Sequence, residues 1–132
     1  MTVRKASCAC GQATLECRGE PRRVSVCHCL DCQRRSGSVC AVQARWPDGD
    51  VVVSGQTRVW TRRGDGGSTA CFHFCPECGV SVMYRVDSMP GLVAIPVGLF
   101  ADPRFPAPEY SVYEDRKHGW FDVVGEGIDH YA

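Results

Sequence analysis

The sequence predicts a small, cysteine-rich, all-β domain with one short helical turn. Three observations point there. Apolar residues alternate at period two in runs of only a few residues, the spacing of half-buried strands. Glycine, proline and aspartate cluster between those runs at hairpin-like intervals. Ten cysteines, seven of them in tight groups, stand in a chain of 132 residues.

The strands are expected in chain order at Ala13/Leu15/Cys17, Val24/Val26, Val39–Val42, Val51/Val53, Thr57/Val59/Thr61 and Val80/Val82/Tyr84/Val86. Turns are expected at Gly19-Glu20-Pro21, Pro47-Asp48-Gly49-Asp50, Gly64-Asp65-Gly66-Gly67-Ser68 and Asp87-Ser88-Met89-Pro90-Gly91. The apolar run Leu92–Phe100 reads as a strand buried on both faces, with Pro96 forcing an edge or a bulge because it has no N–H to give to a ladder. Only Cys29–Ser36 can form a helical turn, and Gly37 follows as its C-cap. The proline-rich stretch Asp102–Pro108 reads as an ordered surface excursion before a final aromatic segment.

Length limits the chain to one domain, 1–132, with no linker long enough to separate two cores. Fifteen Lys and Arg balance 15 Asp and Glu. A net charge of zero provides no field to draw the domain to a phosphate backbone, so no nucleic-acid partner is expected. No run approaches the ~20 apolar residues of a spanning helix. The opening Met1-Thr2-Val3-Arg4-Lys5 has no apolar core for a secretory signal, so the expectation is a cytoplasmic protein with no membrane partner. Oligomeric state leaves no mark in the sequence.

In a reducing compartment, clustered cysteines point to metal more readily than to disulfides. Residues two apart on an extended chain have Cα atoms about 6.5–7 Å apart, at the limit for a disulfide, yet both sulfurs can reach one ion. Cys8-x-Cys10 is such a pair. Cys75-Pro76-Glu77-Cys78-Gly79 is a zinc-knuckle turn, in which the glycine lets the chain fold back. Together Cys8, Cys10, Cys75 and Cys78 supply the four ligands of a closed structural zinc site. The middle group, Cys27-His28-Cys29-Leu30-Asp31-Cys32, offers three thiolates and no obvious fourth. Three protein ligands and an open position are the pattern of catalytic zinc. The alternative is that Cys40 closes this second site, or else is packed in an apolar strand.

Arg34 and Arg35 follow the triplet and can hold the carboxylates of an acidic thiol, or else are solvated. His28, between two ligands, should project away from the metal. His73 should face opposite to Phe72 and Phe74 and be exposed. His118 and His130 have no partner visible in sequence. Trp120 and Phe121 are expected in the core rather than a pocket, and Cys17 and Cys71 as small buried hydrophobes.

Cys8-Ala9-Cys10-Gly11, Cys27-His28-Cys29-Leu30-Asp31-Cys32-Gln33-Arg34-Arg35-Ser36-Gly37, Phe74-Cys75-Pro76-Glu77-Cys78-Gly79 and the late Trp120-Phe121 occur in that order. Their combination resembles the glutathione-dependent formaldehyde-activating family, which includes centromere protein V. The resemblance implies small coiled antiparallel sheets, a β-tent, around a structural zinc on Cys8, Cys10, Cys75 and Cys78. It also implies a second, chemical zinc on Cys27, Cys29 and Cys32. The implied reaction is the reversible addition of glutathione to formaldehyde, formally a carbon–sulfur lyase, with a small thiol and an aldehyde as partners.

A thiol attacks a carbonyl as thiolate, and a metal can deprotonate it on coordination. Three thiolates on one Zn²⁺ leave the site at −1, and a fourth brings it to −2. Such a zinc suits carrying a substrate thiolate better than polarising water. The rival reading is a zinc-stabilised binding or sensor module without turnover.

Overall fold

The computed structural model describes residues 2–64 and 67–132. Among the described residues, twelve regular elements and three 3-10 turns follow one another. Those that matter here are β1 (Val3–Ser7), β2 (Thr14–Arg18), β3 (Arg23–Cys27), α1 (Leu30–Ser36), β4 (Ala41–Pro47) and β5 (Val51–Ser54). They continue with β6 (Arg58–Arg63), β7 (Thr69–Phe74), β8 (Ser81–Val86), β9 (Leu92–Pro96), β10 (Tyr110–Val112) and β11 (Asp129–His130).

Two sheets result. The smaller is antiparallel, in the order β1-β2-β5. The larger runs β11-β10-β3-β4-β9-β8-β7-β6. It is antiparallel apart from β10, which pairs in parallel with both β3 and β11. The all-β class with a single helix is therefore as the sequence predicts, and the parallel end of the large sheet is an addition to it.

Alternation decides which side chains face inward. In β2, Leu15 and Cys17 are buried while Thr14, Glu16 and Arg18 face water. They meet Val24, Ala44, Trp46, Val82, Val93 and Ile95 of the large sheet in one core. Trp46 lies within it, fully buried, its indole N–H donating to Gly19 O at 3.0 Å. Phe100 and Phe105 close over it at ring separations of 5.5 and 6.4 Å. Phe105 comes from the proline-rich excursion, which is thus tied to the core.

The opposite face of the large sheet carries a second, smaller cluster of Ala70, Phe72, Tyr84 and Ala94. Arg45 and Gln43 of β4 are also buried, and both donate to Ser25 Oγ, at 3.3 and 2.9 Å. Here α1 packs. Its N-cap is Cys29 and its C-cap Gly37, at φ 73°, the left-handed conformation glycine adopts without strain.

Leu92–Phe100 is corrected. The strand stops at Pro96, and Val97–Phe100 form a 3-10 turn. β9 is an interior strand, paired with β4 on one side and β8 on the other. Proline at its last position ends the ladder and presets the φ of the turn that follows. The turn expected at Gly64–Ser68 includes Asp65 and Gly66, which lie outside the described residues; its flanks are joined by Gly64 N–H to Ser68 O at 2.8 Å.

Candidate metal centre

Cys8 and Cys10 lie in the turn after β1, and Cys75 and Cys78 in the turn between β7 and β8. The two half-sites are built alike. Cys8 N–H donates to Ala13 O at 3.0 Å and Cys75 N–H to Val80 O at 2.9 Å, so each cysteine bonds across its own turn to the residue five positions on. Gly11 and Gly79 occupy matching left-handed positions at φ 85° and 80°. The turns converge until all four sulfurs lie within 4.8 Å of one another. Cys8 Sγ to Cys10 Sγ and Cys10 Sγ to Cys75 Sγ are both 3.7 Å. Four sulfurs around zinc at ~2.3 Å would form a tetrahedron with edges of about 3.8 Å. The donor set therefore fits zinc.

Polar hydrogens point at these sulfurs. Ala13 N–H donates to Cys8 Sγ at 3.4 Å, and the Gln12 amide to Cys75 Sγ at 3.1 Å. The Ala13 N–H holds the Cys8 thiol below its usual range. Burial opposes ionisation of Cys75, yet the Cys78 N–H and the Gln12 amide bring it down to about 6. Cys10 goes the other way: although a Gln12 N–H favours its thiolate, burial and the neighbouring sulfurs push it up to about 12. Four thiolates this close repel one another, and a divalent cation among them relieves that conflict.

The second group assembles at the end of β3 and the start of α1. Cys27, Cys29 and Cys32 bring their sulfurs within 4.8 Å of one another. Cys29 Sγ, at the N-cap, accepts the Cys32 N–H at 3.3 Å. The Cys27 thiol holds Cys32 down at about 6, with Cys29 and Arg35 adding to the effect. Cys27 is pushed up in turn by Cys32 and by burial. Cys40, half-buried, does not join the cluster, and burial raises its thiol. None of the ten cysteines is in a disulfide.

Comparison with known proteins bears on this arrangement. The family model described as glutathione-dependent formaldehyde-activating enzyme matches residues 3–116. The chain belongs to that family. No curated protein matches it. Among solved structures, a Rhodobacter sphaeroides protein superposes with a TM-score of 0.59 at 23% identity, covering 76% of this chain and 92% of that one. At that identity the likeness is one of fold.

In this member of the glutathione-dependent formaldehyde-activating family, α1 divides the two arginines. Arg35 lies over the rings of Phe72 and Tyr84, at 5.1 and 4.8 Å, on the side of Cys32. Arg62 adds a cation over Phe72 at 5.5 Å and pairs with Asp31 at 3.0 Å. Arg34, 100° around the helix, is exposed and lines a groove with Leu30, Gln33, His118, Trp120 and Phe121.

His28 is fully buried and outside the cluster, its Nε2 2.9 Å from Ser111 Oγ and its Nδ1 without a partner. The expected core position of Trp120 is corrected: it is 75% exposed, because the final segment lies along α1 rather than between the sheets. His73 is half-buried rather than exposed, with Thr57 Oγ1 3.4 Å from its Nδ1. Cys71 is likewise only half-buried, since β7 has only β6 beyond it at the sheet edge. His118 and His130 have partners after all, Gln33 and Glu114, at 3.0 and 2.7 Å.

Gln12, Tyr84 and Arg62 are the residues around the two sites that sequence reasoning passed over. For Gln12 a signal existed, since it directly follows Cys10-Gly11. The others are brought in only by strand register. No helix is long and apolar enough to cross a membrane among the described residues.

Proposed function

We propose that the protein is a zinc-dependent carbon–sulfur lyase acting reversibly on thiol–aldehyde adducts of the S-hydroxymethylglutathione type. The supporting observation is the triplet of Cys27, Cys29 and Cys32, three sulfurs gathered within 4.8 Å with no fourth cysteine in the group. Zinc bound there would supply the positive charge that keeps an incoming thiol ionised at neutral pH.

The protein's own residues have distinct tasks. Cys27, Cys29 and Cys32 would hold the ion. Their arrangement is fixed by β3 on one side and by the Cys32 N–H on the other. Arg35 offsets the negative charge of the cluster and, as a planar fork already held by two rings, can bind a carboxylate of an acidic thiol without first being ordered. Arg34, on the groove face of α1, is turned away from the triplet and takes no part in that contact. Cys8, Cys10, Cys75 and Cys78 would hold the second zinc, which has no open position and is structural.

The direct test is proton NMR of glutathione and formaldehyde with the zinc-loaded protein. Adduct formation should exceed the spontaneous rate, and Cys29→Ser should return it to background while remaining folded. Turnover retained by Cys29→Ser would overturn the catalytic assignment. No acceleration by the wild type would leave a zinc-stabilised binding or sensor module.

A further inference from the structure

The groove beside α1 has a volume of 790 Å³, within the ~300–1,000 Å³ range typical of small-molecule sites. We propose that it binds a planar aromatic carboxylate, at a site separate from both cysteine clusters. Leu30, Gln33 and Arg34 stand at positions i, i+3 and i+4 of the helix and share one face, while Cys32 and Arg35 lie on the other.

The walls are apolar and available. Trp120 is 75% exposed and Leu30 56% exposed. Trp120 meets His118 and Phe121 edge-on, at ring separations of 5.5 and 6.2 Å, so three rings are fixed relative to one another. Large aromatic surfaces left in contact with water mark binding sites more often than scattered exposed aliphatics do.

The floor is rigid. The Gln33 amide nitrogen donates to His28 O at 2.8 Å and Arg116 O at 3.1 Å, which assigns its oxygen as the acceptor facing His118 Nε2 at 3.0 Å. Both Gln33 N–H groups are thereby used, and the side chain joins the helix to the final segment through Arg116 and His118. It shapes the groove rather than contacting the ligand through hydrogen bonds.

Charge sets the ligand class. Arg34 has no carboxylate partner among the described residues, since nearby Asp31 pairs with Arg62 instead. One guanidinium matches the single charge of a carboxylate and offers it bidentate geometry. An aromatic ring against Trp120 and Phe121 with a carboxylate on Arg34 satisfies both parts of the groove.

The experiment is isothermal titration of the zinc-loaded full chain with 2-naphthoate, and with 2-naphthylmethanol and acetate as probes lacking one feature each. Naphthoate should bind saturably and at least about tenfold more tightly than either. Trp120→Ala and Arg34→Met should each weaken it about tenfold or more while zinc content and thermal unfolding are unchanged, as fits two exposed positions. Saturating glutathione should leave naphthoate affinity unaltered. Competition by glutathione, variant effects below about threefold, or no saturable binding would overturn the proposal. The last result would leave the groove as a docking face for a protein segment. None of these results depends on turnover, so the lyase reading stands or falls separately.

Discussion

Arg35 is where the charge of the triplet is balanced. Its guanidinium rests on Phe72 and Tyr84, and burial raises the Tyr84 hydroxyl to about 12, so that ring stays neutral beneath it. Replacing Arg35 with Ala should cost the binding of an acidic thiol roughly 1.5–3 kcal/mol, about ten- to a hundredfold in affinity. A neutral small thiol should lose much less. Arg35→Lys should not restore the loss, because an ammonium cannot bind in a bidentate fork. Titrating glutathione and 2-mercaptoethanol into the variants checks this; equal effects on both thiols would refute it. A second residue carries a pH dependence. Glu114 is held below the usual carboxylate range by the Ser111 hydroxyl, and then by His130 and Lys117. Its folded pKa lies below its unfolded value, so its contribution to stability is present above the unfolded pKa, near 4.3, and is lost as pH falls through the folded value. Wild type should therefore lose more melting temperature between pH 5 and pH 3 than Glu114→Gln does, as thermal unfolding of the pair would show.

Among the elements, the turn that presents Gln12 is the most exposed to a single change. Gly55 sits at φ 97°, and a Cβ there would come 2.0 Å from Gln12 O. Gln12 and Gln56 are joined by reciprocal hydrogen bonds of 2.6 and 2.9 Å, and the same Gln12 amide donates to Cys75 Sγ. Gly55→Ala should thus strain the backbone and loosen the four-cysteine site together, at a cost of about 2 kcal/mol or more. Melting temperature should drop by roughly 6–10 °C, and zinc should be lost at lower chelator concentration. An unchanged melting curve would contradict this. The elements also show what a sequence reveals. The helix was legible because its start and stop are local, Cys29 capping with its own sulfur and Gly37 closing. So were β2 and β8, whose apolar residues alternate. β1, β10 and β11 were not: β1, Val3-Arg4-Lys5-Ala6-Ser7, has no apolar alternation, and β10 is three residues long and pairs with β3, far away in sequence. Both cysteine groups could be read from spacing. The division of Arg34 from Arg35, and the exposure of Trp120, depend on how the helix is turned against the sheet and the final segment.

At the scale of the whole molecule, the four-cysteine site joins the two sheets at one end of the core they share. Cys8 and Cys10 belong to the end of β1 in the small sheet, Cys75 and Cys78 to the β7–β8 turn in the large one. The triplet, by contrast, is local to β3 and α1 and closes no long loop. Cys75→Ser should accordingly abolish soluble expression, whereas Cys29→Ser should remain folded with zinc in the four-cysteine site. A stable Cys75→Ser protein with full metal content would refute the structural role. The most direct measurement follows zinc release and circular dichroism together while a chelator is titrated into the wild-type protein. The account predicts two steps: zinc from the triplet leaves first with the fold intact, and zinc from the four cysteines leaves later as the domain unfolds. Loss of all zinc in one step, or complete loss with the β-sheet signal unchanged, would contradict it.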